Sequence, residues 1–552
     1  MVLGMPPELM PLSREKLADN IVALWAERDA LRIELAAARA EAADVQAKLD
    51  YVAKKLFTPS SEKKPYTEKD GTQQTLFTTP VEQDLAPVAE IIVPAHLRTK
   101  KGHGRKPVSR ELPVEERIIP ASEAEKIGPN GEALVLLGYE ESRKLDVVPA
   151  ILRCLLTKRE KWGLLDTRET LFVAPIEPCL IPKGKATDAF ILDVILNKYQ
   201  LSLPLYRQVS VLNARGADIN VSWMSDLIKQ TATVFAPVHD ALRDYLLKQR
   251  LVYVDETPVR QLIPGKKKDN GDTTVHTSYY WAWIGGDPDR AQCYFHYDTT
   301  RSQSALRTVL QIPDDDPWDT DGCIALLMCD GYAAYNLIDT VPMTQEQRRI
   351  RRIACWVHVR RPFLKCAELG DKNATDIVAL INKLFSAERT IRKENDKKNR
   401  RGADAHAYTL SERQIHAKPI IEQIKTRIEA CRPYYTPARD MAKAINYTLK
   451  LWDSLTVVLK HGDAPIDNNT AERAIRPLAI GRKNWLFVGS EDAGNWSAIF
   501  FSLIESCRLQ KIDPRQYFNY ITPILVRRDP TTDYRQLIPI MVKDKLAKAP
   551  TA

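Results

Sequence analysis

Apolar residues recur at every third and fourth position between residues 14 and 57, which predicts one long helix. Neither proline nor glycine interrupts this stretch. A heptad pattern of that length favours a coiled coil, and therefore a homo-oligomer that is at least a dimer. The alternative is an amphipathic helix packed on its own protein. The seam consists of Leu17, Ile21, Leu24, Arg28, Leu31, Leu35, Ala38, Ala42, Val45, Leu49, Val52 and Leu56. We assign residues 1–57 to this N-terminal segment.

The helical pattern ends after residue 57. Prolines and basic residues predict a flexible linker over 58–110, which either follows a phosphate backbone or acts as a solvated tether. Residues 111–180 form a small mixed domain. Residues 181–248 are helical, with two short amphipathic runs around Gly216 and a second helix beginning near Ser222. This outline fits a helix-turn-helix or a helical hairpin packed on the next domain.

Strand patterns begin at residue 249. Three apolar runs predict strands, "LVYVDE", "SYYWAWIGG" and "QCYFHYD", and they are followed by a helix and by the buried strand "CIALLMCD". Asp255 ends the first strand and Asp330 ends the fourth, so the two carboxylates meet if these strands are neighbours. We predict an α/β domain over 249–370 and 463–510, split by a helical insertion.

The insertion covers the polar helical stretch 371–462. In the second part of the α/β domain, Asn468 or Asn469 caps a short helix that carries Glu472 and whose length Pro477 limits. Residues 511–552 are assigned to a C-terminal tail.

The charge of the chain is uneven. Its net charge is +9 over 552 residues, and several basic clusters favour a polyanionic partner. No apolar run approaches the roughly 20 residues that span a bilayer, and no signal peptide is recognised, so no membrane partner is expected. The nine cysteines form no CxxC pair, which argues for reduced thiols in the cytoplasm.

Three acids, Asp255, Asp330 and Glu472, suit a pair of Mg²⁺ ions, for which Mn²⁺ can substitute, because hard cations need oxygen ligands. Two such metals about 3.5–4 Å apart can clamp an in-line displacement at phosphorus. Each acid also has an ordinary interpretation, as a turn residue for the two aspartates and as part of a capping box for Glu472. Glu256 is an alternative to Asp255, and Glu388 is an alternative to Glu472.

Cys355 and His358 have the spacing of metal ligands, but a zinc site needs four ligands and no second pair is visible. The pair is therefore structural or contacts DNA. Trp485 either stacks on a displaced base or belongs to the core. Basic residues that flank these motifs suit phosphate contacts: Arg360, Arg361, Arg473, Arg476, Arg482 and Lys483.

Long motifs, including "VDETPV", "CDGYAAYN", "ACWVHVRRPF" and "DNNTAERAIRPLAIGRKNWLFVGSEDAG", resemble the insertion-sequence 66 family of transposases. The resemblance covers nearly the whole chain. It implies a DDE transposase with a ribonuclease-H-like catalytic domain, in which Asp255, Asp330 and Glu472 are the three acids. Cys355 and His358 match the Cys-x-x-His element that follows the second acid in several DDE groups.

The resemblance also implies partners and one departure. Family members typically carry a zinc-binding domain with paired cysteines, whereas the corresponding stretch here has a single cysteine, Cys154, and no CxxC, so no zinc is expected. We expect hydrolysis at the element ends, followed by attack of the 3′-hydroxyl on target DNA. Expected partners are both DNAs, further copies of the chain and small accessory proteins of the same element, in the bacterial cytoplasm at the nucleoid. The rival functions are a self-repressor or inactive relic that only binds DNA, and a structure-specific nuclease.

Overall fold

A computed structural model describes residues 23–32, 46, 118, 151–163, 170–267, 273–312, 324–339 and 350–548. The chain divides into two compact units, one formed by Met1–Ser60 with Thr157–Ala552 and the other by Ser61–Leu156. Residues 23–32 are helical, as the predicted coiled coil requires, whereas the rest of that prediction and the linker 58–110 lie outside the described residues. In the second unit, the described residues 118 and 151–156 are irregular.

The described elements follow one another in a mixed α/β order. The strands are β1 (Lys161–Gly163), β2 (Thr170–Val173), β3 (Leu251–Lys267), β4 (Thr273–Gly285), β5 (Gln292–Asp298), β6 (Leu326–Cys329), β7 (Arg351–Ala354) and β8 (Phe487–Val488). The helices before the insertion are α1 (Asp188–Tyr199), α2 (Leu205–Asn213), α3 (Val221–Leu247), α4 (Gln303–Leu310), α5 (Asn336–Asp339) and α6 (Trp356–Glu368). Those that follow are α7 (Lys372–Lys397), α8 (Gly402–Glu412), α9 (Lys418–Cys431), α10 (Asp440–Lys450), α11 (Trp452–Thr456), α12 (Asn469–Trp485), α13 (Glu491–Leu509), α14 (Pro514–Leu525) and α15 (Pro539–Lys548).

The main sheet has the strand order β5-β4-β3-β6-β7, with β8 paired to the far end of β3. Strands β3, β4 and β5 are antiparallel, whereas β6 and β7 run parallel to β3. The predicted order of three strands, a helix and a further strand is present. The first of these strands pairs with the fourth, which is the condition under which Asp255 and Asp330 were expected to meet. All four residues of β6 are buried, because the sheet is covered on both faces.

Two hydrophobic clusters cover the sheet. The larger one joins the sheet to α1, α3, α13, α14 and α15, and the smaller one joins β6 and β7 to α6 and the insertion helices. Residues 511–552, which the sequence pattern assigned to a tail, thus contribute α14 and α15 to the larger core. Tyr517 and Phe518 of α14 are fully buried there. No helix in the described part of the chain is both long and apolar enough to cross a bilayer.

Helices α2 and α3 meet at a turn that contains Gly216, whose φ of +90° lies in the left-handed region that favours glycine. The second helix begins at Val221, close to the predicted start. It is 27 residues long, and Met224, Phe235 and Leu242 bury one of its faces in the larger core. One face of this helix therefore packs on the next domain, and the helix-turn-helix interpretation stays a prediction.

The helical insertion is held by a buried ion pair between α7 and the short π-helical turn Arg413–Ala417. Arg413 donates from Nε to Oε1 of Glu388 at 2.6 Å and from Nη2 to Oε2 at 2.9 Å. Its Nη1 donates to the carbonyl oxygens of Val458 and His461, at 3.1 and 3.0 Å. Both side chains of the pair are at most 8% exposed. Glu388 is therefore fully engaged inside the insertion, which removes it as an alternative to Glu472.

Replacing Arg413 by alanine should loosen the insertion, because it leaves Glu388 buried without a counter-charge, a loss of about 3–5 kcal/mol. Amide hydrogen exchange in α7 and α9 should accelerate strongly. The matched control is Arg401→Ala, since Arg401 pairs with Asp396 at the surface, where both side chains are more than 60% exposed. That change should cost less than about 1 kcal/mol. Equal exchange in both variants would contradict the importance of the buried pair.

Candidate active site

The register between β3 and β6 places the first two acids side by side. Tyr253 lies opposite Met328 in this parallel pairing. Two residues further along each strand, the same register sets Asp255 opposite Asp330. Asp330 directly follows β6, and one of its carboxylate oxygens, Oδ1, accepts a hydrogen bond from the Tyr332 amide at 2.9 Å. The two acids therefore meet at one edge of the sheet, as predicted.

Side chains alternate between the two faces of β3, so the adjacent residues Asp255 and Glu256 point in opposite directions. Thr257, which shares the face of Asp255, accepts a hydrogen bond from Arg482 Nη1 of α12 at 2.7 Å. Asp255 therefore faces the helix that carries Glu472. This alternation distinguishes two acids that the sequence alone could not separate.

Glu256 is compensated by the protein itself on the other face. Its side chain is 1% exposed and forms an ion pair with Arg301. Arg301 Nε donates to Oε1 at 2.8 Å, and the hydroxyl of Tyr335 donates to Oε2 at 2.6 Å. The guanidinium carbon of Arg301 lies 3.6 Å from the ring centroid of Tyr332. Both carboxylate oxygens of Glu256 are thus occupied, which makes it a poor alternative to Asp255.

The third acid is positioned by Asn468, which is fully buried. Its side-chain Nδ2 donates to the Val254 carbonyl oxygen at 2.8 Å instead of capping α12. Its own amide donates to Cys355 Sγ at 3.3 Å, and its carbonyl oxygen accepts from the Glu472 amide at 3.2 Å. One residue therefore joins the strand of Asp255 to the helix of Glu472. Asn468 is at the N-cap position of α12, as one of the two predicted candidates, but its side-chain oxygen makes no capping hydrogen bond.

Helix α12 is also longer than predicted. It runs through Pro477 and Gly481 to Trp485. Proline removes one hydrogen-bond donor from a helix, and here the carbonyl that loses its donor belongs to Arg473, an exposed residue. Glycine at position 481 allows close packing, since an added Cβ would lie 2.9 Å from Trp485 Nε1.

The three acids influence one another electrostatically. Burial is the largest cause that raises the pKa of Asp255 to about 8. The nearby charges of Glu256, Asp330 and Glu472 raise the same pKa further. Like charges held this close favour protonation unless a cation neutralises them. A cation bound beside Asp255 would therefore favour its charged form.

His358 lies beside the acids at the start of α6. Its Nε2 is 3.8 Å from Oε1 of Glu472. Burial lowers the pKa of His358, while the charges of Asp330 and Glu472 oppose that shift. Its Nδ1 is buried and has no hydrogen-bond partner among the described residues. His358 therefore belongs to the acid cluster.

Cys355 has a different role from His358. It is the residue before α6, it is buried, and its Sγ accepts the amide hydrogen of Asn468. Burial raises the pKa of the thiol to about 11, which keeps it protonated. The contact that Cys355 makes with Asn468 is therefore structural.

A divalent metal suits the chemistry of this donor set, since carboxylate oxygens are hard ligands and a cation would relieve their mutual repulsion. Among the described residues, however, no group of three acidic, histidine or cysteine side chains is already arranged to hold an ion. Asp255, Asp330 and Glu472 are gathered at one edge of the sheet, and their side chains must move to share a cation.

Of the side chains predicted to contact DNA, some are hydrogen-bonded within the protein and others are exposed. Arg482 is anchored to Thr257 and to the Pro258 carbonyl oxygen, and Arg360 donates to Asn382 Oδ1 at 2.8 Å. The exposed members of the set are Arg361, Arg473, Arg476 and Lys483. Trp485 is half-buried and lines a surface cavity at the end of α12.

Sequence reasoning missed three residues that shape the site. Asn468 was recognised only as a helix cap, and Arg301 lies in a loop without a motif. Tyr447 of the insertion packs so closely on Gly331 that an added Cβ would lie 2.3 Å from its ring. The "CDG" sequence was the available signal, because a glycine next to a predicted ligand can indicate a close approach.

Known proteins resemble this chain along most of its length. Three proteins of Sinorhizobium fredii, each named as uncharacterized, match it. They are y4jD (28% identity, 69% of this chain and 71% of that protein), y4qI (27%, 77% and 75%) and y4hP (25%, 80% and 77%). A solved structure, the Drosophila P element transposase strand transfer complex, aligns over 59% of this chain and 94% of its own, with 10% identity. Its TM-score of 0.30 is too low to establish a common fold.

Two family descriptions match the sequence. Residues 44–117 match "Transposase C of IS166 homeodomain", a DNA-binding type of region that lies almost entirely outside the described residues. Residues 183–496 match "Transposase IS66 family", and this range holds all three predicted acids. The second match covers more than half of the chain, so this protein belongs to the insertion-sequence 66 (IS66) family of transposases.

Proposed function

We propose that this transposase cuts the DNA at the ends of its own insertion sequence and joins the freed 3′-hydroxyl to target DNA. Asp255, Asp330 and Glu472 are its catalytic acids. The observation that carries this proposal is the parallel register of β3 and β6, which sets Asp255 beside Asp330. The Asn468 hydrogen bonds bring the start of the Glu472 helix to the same edge of the sheet.

The strand order β5-β4-β3-β6-β7 supports a ribonuclease-H-like catalytic domain. In that fold, three antiparallel strands are followed by two strands parallel to the first, and the acids lie where the first and fourth strands end. The directions of pairing here agree with that arrangement. The insertion 371–462 then splits the domain between its second and third acids.

The metal of this site is Mg²⁺ in our proposal, and Mn²⁺ can substitute for it. Bound at the three acids, it supplies Lewis-acid activation of the attacking oxygen and stabilises the departing 3′-oxygen. The chain itself holds the carboxylates at one edge of the sheet and keeps His358 beside Glu472. The exposed cations Arg473 and Arg476 extend from the same helix and contact phosphates of the bound strand.

The remaining segments act in DNA recognition and assembly. The N-terminal helix pairs protomers across two element ends, and the region matched over 44–117 recognises end DNA. Accessory proteins of the same element assist where they are present. Two rival functions make different predictions. A self-repressor binds the ends without cutting them, and a structure-specific nuclease cuts branched DNA whatever its end sequence.

Changing Asp255 to asparagine, Asp330 to asparagine or Glu472 to glutamine should lower cleavage of end DNA at least about 100-fold, since each change removes a charged oxygen from the metal-binding set. Affinity for the same DNA should stay close to that of the parent. Cleavage is measured on labelled end duplexes with Mg²⁺, and binding is measured without it. Asp193→Asn is the control, because it removes an exposed acid on α1 that pairs with Arg515.

Equal cleavage by the Asp255 variant and the parent would remove this residue from the mechanism. Tight end binding without cleavage by the parent, tested with its accessory proteins present, would favour the repressor. Cleavage of branched DNA that ignores the end sequence would favour the nuclease.

The variant Glu256→Gln should distinguish the role of Glu256 from that of Asp255. It should lower stability by about 1.5–3 kcal/mol, because it weakens a charge-assisted hydrogen bond with Arg301. The Mg²⁺ concentration for half-maximal cleavage should stay within about threefold of the parent value, since Arg301 and Tyr335 already engage both carboxylate oxygens of Glu256. Thermal unfolding and a Mg²⁺ titration measure the two effects.

The matched control is Glu505→Gln, which weakens the pair between the buried Glu505 and Arg508 of the same helix. Both variants should lose similar stability and keep the same metal requirement. A large increase in the Mg²⁺ requirement for the Glu256 variant alone would identify Glu256 as a ligand.

A further inference from the structure

A surface cavity of about 400 Å³ lies where the end of α12 meets the first turns of α2, α3 and α13. We call it the aromatic cavity. Its walls include Tyr206, Trp485, Phe487 and Trp496 together with Lys198. The catalytic proposal makes no use of it. Six aromatic residues line this one opening, which is unusual on a surface that has to remain in water.

Several apolar groups of this cavity face solvent. Tyr206 is 55% exposed, Leu486 is 62% exposed and Phe487 is 46% exposed. Leu486 has a φ of +64°, a left-handed conformation that a leucine rarely adopts. The backbone is therefore strained at the point where two large apolar side chains turn outwards. Such strain is concentrated at sites that bind something.

Cations lie beside two aromatic rings of the cavity. The described residues that line it include Lys198 and no acidic side chain. Lys229 Nζ lies 5.8 Å from the ring of Trp496, and the guanidinium of Arg207 lies 5.6 Å from the ring of Tyr206. Exposed aromatic rings interleaved with cations suit a nucleotide, whose base stacks on the rings while its phosphates meet the cations. An apolar peptide would gain nothing from the cations.

The cavity lies within reach of a DNA strand held at the catalytic acids. Phe487 pairs with Arg260 on β3, five residues along the strand from Asp255. At about 3.3 Å per residue this is about 16 Å. That distance corresponds to about five base steps of duplex DNA. Arg482 fixes the end of α12 to β3 through Thr257, so the separation between cavity and acids is set by hydrogen-bonded elements.

We propose that the aromatic cavity binds one unstacked nucleobase of the element-end DNA, a few nucleotides from the phosphate that is cut. This inference rests on the proposed function of the acids and names a substrate contact that they do not supply. Extruding a base requires energy for unpairing and unstacking, and stacking on the exposed rings offsets part of it. A base in the cavity would mark the position of the cut along the strand.

The test measures binding of full-length protein to end duplexes that carry a single mismatch, moved one position at a time. A mismatch lowers the energy needed to extrude a base, so one position near the cut should bind at least about fivefold more tightly than the perfect duplex. In Tyr206→Ala and Phe487→Ala this gain should disappear, because the stacking partner is lost. Both side chains are exposed enough for their removal to leave folding intact.

The matched control is Tyr434→Ala, which removes a 58% exposed tyrosine of the helical insertion and should leave the mismatch gain unchanged. A mismatch gain at no position, or a gain that survives in both cavity variants, would overturn the proposal. Cavity variants that lose self-association but keep the gain would instead assign the cavity to another copy of the chain. Failure of the proposed catalytic function can be told apart from failure of the cavity proposal. In the first case the Asp255→Asn variant and the parent protein would cleave end DNA equally, or neither would cleave it.

Discussion

The site depends on one fully buried asparagine. Asn468 donates from its side chain to the Val254 carbonyl, from its backbone to Cys355 Sγ, and accepts from the Glu472 amide. The three elements that meet there each carry a residue of the acid cluster. Because the junction excludes water, losing any of these bonds leaves a polar group unsatisfied, at a cost of about 1–3 kcal/mol. The hydrogen bonds of Asn468 therefore fix how these three elements are placed relative to one another.

The neighbouring acids Asp255 and Glu256 have different environments, which indicate different roles. Glu256 forms an ion pair with Arg301, and its second carboxylate oxygen accepts a hydrogen bond from the Tyr335 hydroxyl. For Asp255, one residue earlier, burial is the largest cause that raises the pKa to about 8, and the charges of Glu256, Asp330 and Glu472 add to it. An acid that the fold compensates is a structural element. An acid that the fold crowds with like charges is suited to an external cation, and this difference identifies the site more clearly than motif spacing does.

The sequence predicted the parts of the site that depend on strand pattern. Asp255 and Asp330 each follow an apolar run, so the sequence predicted that the two acids meet if their strands are parallel neighbours. It could not predict which face of β3 each acid occupies, because that depends on the helices packed on either side. The role of Asn468 was missed for a related reason, since an asparagine before a helix has a local use as a cap. Only the tertiary contact with Val254 shows that its side chain is used elsewhere.

Local helix propensity predicted the length of α12 wrongly, because tertiary packing offsets the unfavourable effect of a proline inside the helix. Pro477 predicted a short helix, yet α12 continues to Trp485 because its buried face, including Ala474 and Leu478, holds it on the sheet. At about 1.5 Å per residue, its 17 residues span about 25 Å. Glu472 lies in the first turn of this helix and Trp485 at its end, so a single element carries both the third acid and a wall of the aromatic cavity. A shift of α12 along its axis would therefore move the acid and the cavity wall together, and Arg482, bonded to Thr257, restrains that shift.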